Sequence, residues 1–454
     1  MKNYQKKEPQ SLDLNKDNIE QQFNKPVARY HYSLGHIVSF ISLTLMSLSM
    51  RGTRKAMSFF SSLFPKGKSS KTPCWYSGRL WLLKLGYYKL HASKNTSGDW
   101  IWIVDHATQW GSEKCFTVLG VQASKLPKSK ILSLDDVEPL MILPVTDSNG
   151  DIVCNQLKQL ALQVGIPKAI VADAGPDIKS GIEKFCKHTQ GTVYLYDIKH
   201  LIANLLKKEF EKDEVWGSFL EFTTKSRQFV QQTALAGLAP PSQRSKARYM
   251  NLEPIITWGI KILEHLDNKE YPQTVDEKEL ERKLNWLPFF RYDLLRWKRV
   301  IDHAMTAEKF IRSSGYKIGV TDSLNSKLVS LDICDTSKDF RERIIKSIFT
   351  QECKLKDCDN LLSSSEIIES LFGKYKYFES EQSRSGFTVS VLALAAMVGK
   401  TTDTVIIKAM ESTTVQQISN WATENIGTTV QAQRLAWLGK KKKSEQNCDE
   451  KLAA

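Results

Sequence analysis

The stretch that decides the fold is Trp100-Ile101-Trp102-Ile103-Val104-Asp105-His106-Ala107-Thr108. Five β-branched or aromatic residues lead into a single acid, a pattern that predicts a buried β-strand. Burying a carboxylate is costly unless it is paired or binds a metal ion. Asp105 is therefore either a capping or salt-bridged residue at a strand end or part of a site, and two features downstream favour the site.

A second acid follows another predicted strand in the same way. The run Ala169-Ile170-Val171-Ala172-Asp173-Ala174-Gly175 again leads from apolar residues to an acid and a turn of small residues. Asp177 competes with Asp173 for this role. Asp173 is preferred because it stands directly at the strand end, whereas Asp177 is placed to cap the following helix.

A third acid lies on a predicted helix late in the chain. The serines at 363–365 provide an N-cap, and the apolar residues that follow have helical spacing. Glu369 lies on this helix, and Lys376 stands seven positions later, two turns down the same face. Glu366 is the alternative third acid, but its seventh position is Gly373, so Lys376 favours Glu369. Carboxylates are the ligands that hard divalent cations prefer.

The order Asp105, Asp173, Glu369 resembles the DDE triad of transposases and integrases with an RNase H-like core. The turn after Asp173 is similar to the Asp-x-Gly turn of that family, and Lys376 to its basic residue after the Glu. Asp197-Ile198-Lys199-His200 resembles the Asp/Cys-x-x-His signature of Mutator-like and hAT transposases. The runs DHATQWGSEK from Asp105 and ESLFGKYK from Glu369 are similar to bacterial insertion-sequence transposases. The resemblance covers residues 100 to 378.

This resemblance implies an α/β protein, with an RNase H-like mixed sheet core, a large all-helical insertion and an N-terminal helix-turn-helix-like domain. It implies that Asp105, Asp173 and Glu369 are catalytic and bind two Mg²⁺ or Mn²⁺ ions. The enzyme would cleave DNA at transposon ends and join those ends to target DNA, as a homo-oligomer of at least two subunits. Asp197 and His200 would order the metal site or a DNA phosphate; otherwise they are an N-cap and an exposed histidine.

We divide the chain into six segments. They are a flexible arm (1–30), a helical DNA-binding domain (31–97), the first part of the core (98–212), the helical insertion (213–360), the last part of the core with the Glu helix (361–427) and a basic tail (428–454). In the core we expect three successive strands, the third at an edge because of its two prolines, and then alternating helices and strands. The insertion has predicted helices at 201–210, 216–233, 252–266, 277–284, 292–312 and 340–349.

Basic residues in three places are candidates for DNA binding. They are Arg79 and Lys84 on the third predicted N-terminal helix, which Gly86 ends, Lys374 and Lys376 on the Glu helix, and Arg244, Lys246 and Arg248 in a loop of the insertion. Each of them is otherwise a solvated side chain. Three tryptophans of the insertion, Trp258, Trp286 and Trp297, are predicted to pack in a core rather than stack on bases.

The same resemblance implies a DNA-bound protein of the bacterial cytoplasm, associated with the nucleoid, and the composition agrees with a DNA partner. Lys and Arg number 64 against 50 acids, a net charge of +14 that favours a polyanionic partner. The eight cysteines form no CxxC pair, which indicates reduced thiols rather than a zinc site. The most apolar early run, residues 37–50, is too short to span a membrane.

Three other functions remain open from the sequence. An RNase H-like nuclease or recombinase outside transposition would use the same acids. A non-catalytic DNA-binding protein derived from a transposase would share the fold, although the intact acids argue against it. A phosphatase of the HAD type would use Asp105 as nucleophile, but it expects a second Asp two residues on, where Ala107 stands.

Overall fold

The computed structural model describes residues 24–63, 72–96, 98–110, 113–242, 248–268, 276–331, 335–356, 359–380, 388–427 and 436–438. Most of the predicted arm and almost all of the predicted basic tail lie outside these residues. No helix in the described part of the chain is long and apolar enough to cross a membrane.

A five-stranded mixed sheet forms the centre of the protein. Its strands are β1 (Trp100–Trp110), β2 (Glu113–Gln122), β3 (Glu138–Val145), β4 (Ala169–Ala172) and β5 (Val193–Tyr196). The first three form an antiparallel meander, whereas β4 and β5 run parallel to β1. The spatial order β3-β2-β1-β4-β5 places the proline-containing β3 at an edge, as predicted, because proline has no N–H for a second neighbour. The sheet is compatible with the expected RNase H-like core.

Helices precede, separate and follow these strands. They are α1 (Leu34–Leu45), α2 (Met50–Leu63), α3 (Trp75–His91), α4 (Gly150–Val164), α5 (Pro176–His188), α6 (Ile198–Phe210), α7 (Glu214–Val230), α8 (Glu253–Asn268), α9 (Glu277–Leu284), α10 (Arg291–Ser314), α11 (Val320–Val329), α12 (Asp335–Glu352), α13 (Glu366–Ser380), α14 (Leu392–Ala396), α15 (Asp403–Ser412) and α16 (Val415–Asn425). A two-stranded antiparallel sheet pairs β6 (Tyr316–Lys317), which follows α10, with β7 (Asn360–Leu361), which follows α12.

The two faces of the main sheet have different coverings. Side chains at even positions of β1, such as Trp102 and Val104, pack with the residues of α4 and α5 in a smaller core. Side chains at odd positions, Ile101 and Ile103, belong to the large core, which also contains apolar residues of α6 and α13. Alternation along the strand therefore assigns Asp105, an odd position, to the face that α6 and α13 cover.

The insertion is helical as expected, with its aromatic residues packed inside. Trp297 is 2% exposed, and its ring lies edge-on to that of Trp216 with centroids 4.9 Å apart. Trp286 is also buried, and Trp258 is half-buried and donates its ring N–H to the carbonyl oxygen of Leu238. The core-packing prediction for the three tryptophans is thus confirmed. The structure adds α11, which the sequence pattern did not indicate.

The prediction that Gly86 ends the third helix is wrong, because α3 continues to His91. A Cβ atom at Gly86 would lie 2.0 Å from the carbonyl oxygen of Leu392, at the start of α14. The glycine is therefore a point of close approach between two helices rather than a helix stop. Its neighbours Leu82, Leu83 and Leu85 are buried as well, so α3 lies inside the protein.

Candidate active site

Three acids stand at the same level of three adjacent parallel strands, Asp105 within β1 and the other two directly after β4 and β5. Ala172 of β4 pairs with Val104 of β1 on one side and with Tyr196 of β5 on the other. The residues that follow these three are Asp105, Asp173 and Asp197. Each acid stands two positions after a residue of the large core, which are Ile103, Val171 and Leu195. The period of two therefore directs all three acids to the face covered by α6 and α13.

The pKa of the Asp105 carboxyl group is shifted by burial and by the charges of other residues of the site. Burial raises its pKa to about 7, with a further increase from the charge of Asp173 and a smaller one from Glu369. His200 and the backbone N–H of His106, which donates to Oδ1 at 2.7 Å, act in the opposite direction. Of the three acids predicted from the sequence, Asp173 and Glu369 therefore both act on Asp105 in the folded chain.

Asp173 is held by a tight turn at the end of β4. Its Oδ1 accepts a hydrogen bond from the N–H of Gly175 at 3.0 Å, and its carbonyl oxygen accepts one from the hydroxyl of Tyr194 at 2.7 Å. A Cβ atom at Gly175 would lie 3.2 Å from Oδ1 of Asp173, a contact that glycine relieves. The small residue after the second acid thus lets the backbone turn around the carboxylate.

The prediction that Asp177 caps α5 is wrong, because Gly175 occupies the cap position. Asp177 instead accepts a hydrogen bond from Ser148 at 2.6 Å and lies 3.1 Å from Nε2 of His106. His106 is on the opposite face of β1 from Asp105. This group ties the first turn of α5 and the segment before α4 to the strand that carries the first acid.

Asp197 joins α6 to the start of α13. Its Oδ1 accepts hydrogen bonds from the N–H of His200 at 2.8 Å and from Nδ1 of the same residue at 3.0 Å. Its Oδ2 accepts from the N–H and the hydroxyl of Ser365, immediately before α13. Burial alone raises the pKa of Asp197, but these hydrogen bonds and the His200 charge outweigh it and lower the pKa. Asp197 is therefore the N-cap of α6, one of its two predicted roles, and its hydrogen bonds also hold the start of α13.

Glu369 lies in the first turn of α13, and its carboxylate is already paired. The ammonium of Lys199 lies 3.0 Å from Oε2, and Nε2 of His200 lies 3.8 Å from Oε1. Glu366, the alternative third acid, forms an ion pair with Arg312 of α10 instead. Among the described residues no three His, Cys, Asp or Glu side chains are grouped closely enough to hold a metal ion.

The donor set nevertheless suits a hard divalent cation. Asp105, Asp173 and Glu369 offer carboxylate oxygens, the ligands that Mg²⁺ and Mn²⁺ prefer. The raised pKa of Asp105 reflects a buried carboxylate beside another negative charge, and a nearby cation removes that cost. These three residues would hold the metal, and Glu369 would exchange its contact with Lys199 for the cation.

The predicted DNA-binding residues have different environments. Lys376 is exposed on α13, whereas Lys374 is half-buried and its pKa is lowered by burial. Arg79 donates to the hydroxyl of Ser390 at 3.3 Å, and Lys84 is 8% exposed and donates to the hydroxyl of Tyr30 at 2.7 Å. Both contacts direct these two side chains into the fold, so their DNA binding stays a prediction that the geometry does not favour.

Arg244 and Lys246 lie outside the described residues. Arg248 is described by its backbone alone, and it begins a single turn of 3-10 helix. Three residues of the site were absent from the sequence prediction: Lys199, Ser365 in its contact with Asp197, and Arg312. Lys199 lies inside the quoted Asp-x-x-His motif, and Ser365 lies inside the serine run before α13. The sequence motifs therefore included these two residues but did not indicate their contacts with Glu369 and Asp197.

No family model matches this sequence, and no curated protein matches it. Among solved structures the chain is similar to one described as the "Drosophila P element transposase strand transfer complex". The match has a TM-score of 0.38 and 12% identity and covers 84% of this chain and 93% of that chain. A likeness at this level establishes neither a family nor an activity.

Proposed function

We propose that the chain is a DDE-type transposase, which cleaves DNA at the ends of a mobile element and joins those ends to target DNA. The observation that carries the proposal is the site itself. Asp105 and Asp173 follow paired residues of adjacent parallel strands, and the charge of Glu369 on α13 acts on the Asp105 carboxylate. An acid on a helix 196 positions after Asp173 (369 − 173) thus lies within electrostatic reach of Asp105 on β1.

Each residue of the site has a distinct task under this proposal. Asp105, Asp173 and Glu369 would hold two Mg²⁺ or Mn²⁺ ions, which when bound activate the attacking oxygen and stabilise the leaving 3′-oxygen. Asp197 fixes the start of α13 through Ser365 and so sets the position of Glu369. Lys376, exposed on the same helix, would contact a phosphate near the cleaved bond.

The charge of the chain supports a DNA substrate. Its net charge is +14, and neutralising phosphates with Lys and Arg releases the counterions bound to DNA. Binding should therefore weaken steeply with added salt. We expect at least two subunits on the paired element ends, and the mass of the protein–DNA complex in solution measures this number.

Strand cleavage by acid variants tests the proposal. The substrate is duplex DNA carrying the sequences that flank the gene of this chain, incubated with the full chain and Mg²⁺ or Mn²⁺. We expect Asp105→Asn, Asp173→Asn and Glu369→Gln each to lose activity by about 100-fold or more, because each removes a metal ligand. Glu366→Gln is the matched control on the same helix turn and should keep most of the activity.

The same assay separates the alternatives. Full activity in Glu369→Gln or Asp173→Asn would contradict the site. Cleavage of any duplex without joining to a target would indicate an RNase H-like nuclease or recombinase outside transposition. DNA binding by the wild-type chain with no cleavage in either metal would indicate a non-catalytic DNA-binding protein.

A further inference from the structure

Lys199 lies between two groups of carboxylates where α6, α10 and α13 meet. Its ammonium is 3.0 Å from Oε2 of Glu369, and both side chains are partly shielded from water, with 28% and 35% of their surfaces exposed. On the other side, its charge also acts on Glu366 and on Glu308 of α10. The lysine therefore has one bonded acid and a second set of acids within electrostatic reach.

We infer that Lys199 is an internal counter-ion that competes with divalent cations for the Glu369 carboxylate. The inference rests on the proposed function, because it assigns Glu369 as a metal ligand. It implies that Lys199 neutralises one member of the triad while the cations are absent.

Charge and geometry both make the competition direct. An ammonium at hydrogen-bonding distance occupies one of the two oxygens that a cation would use, and it adds a positive charge beside the cation. Asp197 and His200 anchor the first turn of α6 to the start of α13. The backbones of Lys199 and Glu369 are therefore fixed relative to each other. Because the lysine has a flexible four-carbon stem, its ammonium can still move away from Glu369 without movement of either helix.

Mn²⁺ affinity of the full chain tests the inference without any measurement of catalysis. Mn²⁺ alone is titrated into wild type, Lys199→Met, Lys199→Gln and Lys199→Arg, and bound Mn²⁺ is followed by its paramagnetic resonance signal. We expect Lys199→Met and Lys199→Gln to bind Mn²⁺ about fivefold to tenfold more tightly, as befits loss of one partly exposed charge pair. Lys199→Arg keeps the charge and should stay near wild type.

One further variant is the control. Lys207 lies on the same helix and pairs with Glu211 at 3.9 Å, away from the site, so the Mn²⁺ affinity of Lys207→Met should not change. Wild-type affinity, or weaker binding, in Lys199→Met and Lys199→Gln overturns the inference and leaves the proposed function standing. Absence of Mn²⁺ binding in every variant overturns both.

Discussion

Asp197 and Ser365 are 168 residues apart in the sequence, yet the carboxylate of Asp197 accepts hydrogen bonds from both the backbone N–H and the hydroxyl of Ser365. Its other oxygen accepts from His200. One buried carboxylate therefore fixes the starts of two helices, α6 and α13. The position of Glu369 depends on an acid that we do not place among the metal ligands.

Asp197→Asn should lower the free energy of unfolding by about 2 kcal/mol, because an amide cannot accept at both ends and a buried donor is left unpaired. Urea denaturation at pH 7 measures the loss. Ser365→Ala keeps the backbone hydrogen bond and should cost about 1 kcal/mol. An Asp197→Asn protein as stable as wild type would show that the hydrogen bonds to Asp197 do not stabilise the start of α13.

The pairing of His200 with Asp197 should make stability depend on pH. Burial lowers the pKa of His200, but the Asp197 carboxylate outweighs it, and the pKa lies above 6.5. A histidine with a raised pKa stabilises the folded state fully below the unfolded pKa, and this contribution is lost as pH rises through the folded pKa.

His200→Gln should therefore destabilise the protein more at pH 5.5 than at pH 9. The measurement is the difference in the free energy of unfolding between the variant and wild type at the two pH values. His188→Gln, at the end of α5 and away from Asp197, is the control. An equal loss at both pH values would contradict a charged His200 in the folded protein.

Asp105→Asn should stabilise the metal-free protein although it removes an acid of the proposed site. The pKa of Asp105 rises from 3.8 to about 7 through burial and the Asp173 charge. A raised carboxyl pKa lowers stability as pH increases from the unfolded to the folded value, and the full loss persists above about pH 7. Unfolding in EDTA should show a gain of roughly 2 to 4 kcal/mol at pH 8 and almost none at pH 4. An Asp105→Asn protein less stable than wild type at pH 8 would contradict an unfavourable buried charge on Asp105 beside Asp173.

Gly86→Ala should destabilise the protein by about 2 kcal/mol or more, because the added methyl group meets the Leu392 carbonyl at 2.0 Å. Thermal unfolding measures the effect. Gly217→Ala is the matched control, since a Cβ atom at that helical position meets nothing within 4 Å and alanine favours helix. We expect the control to be neutral or slightly stabilising.

The strands and the acids at their ends could be read from the sequence, because buried strands have continuous apolar runs and an acid that interrupts such a run stands out. The register between β1, β4 and β5 could not, since it depends on pairing between distant segments. Local pattern also predicted Asp197 as an N-cap, which is confirmed, but not Ser365 as its partner, because that contact needs the folded chain.

The errors have physical causes of the same kind. Gly86 has the composition of a helix stop, but its lack of a Cβ atom serves contact with Leu392 across the core. Asp177 has the position of a cap near the helix start, but Gly175 takes that place and Asp177 bonds Ser148. Tertiary packing decides each case.

The most direct test of the site is the anomalous difference density of Mn²⁺ in crystals of the full chain. We predict Mn²⁺ peaks about 2.1 Å from carboxylate oxygens of Asp105, Asp173 and Glu369, with the Lys199 ammonium withdrawn from Glu369. A crystal saturated with Mn²⁺ in which Glu369 remains bonded to Lys199 and no peak lies between the three acids would contradict the account.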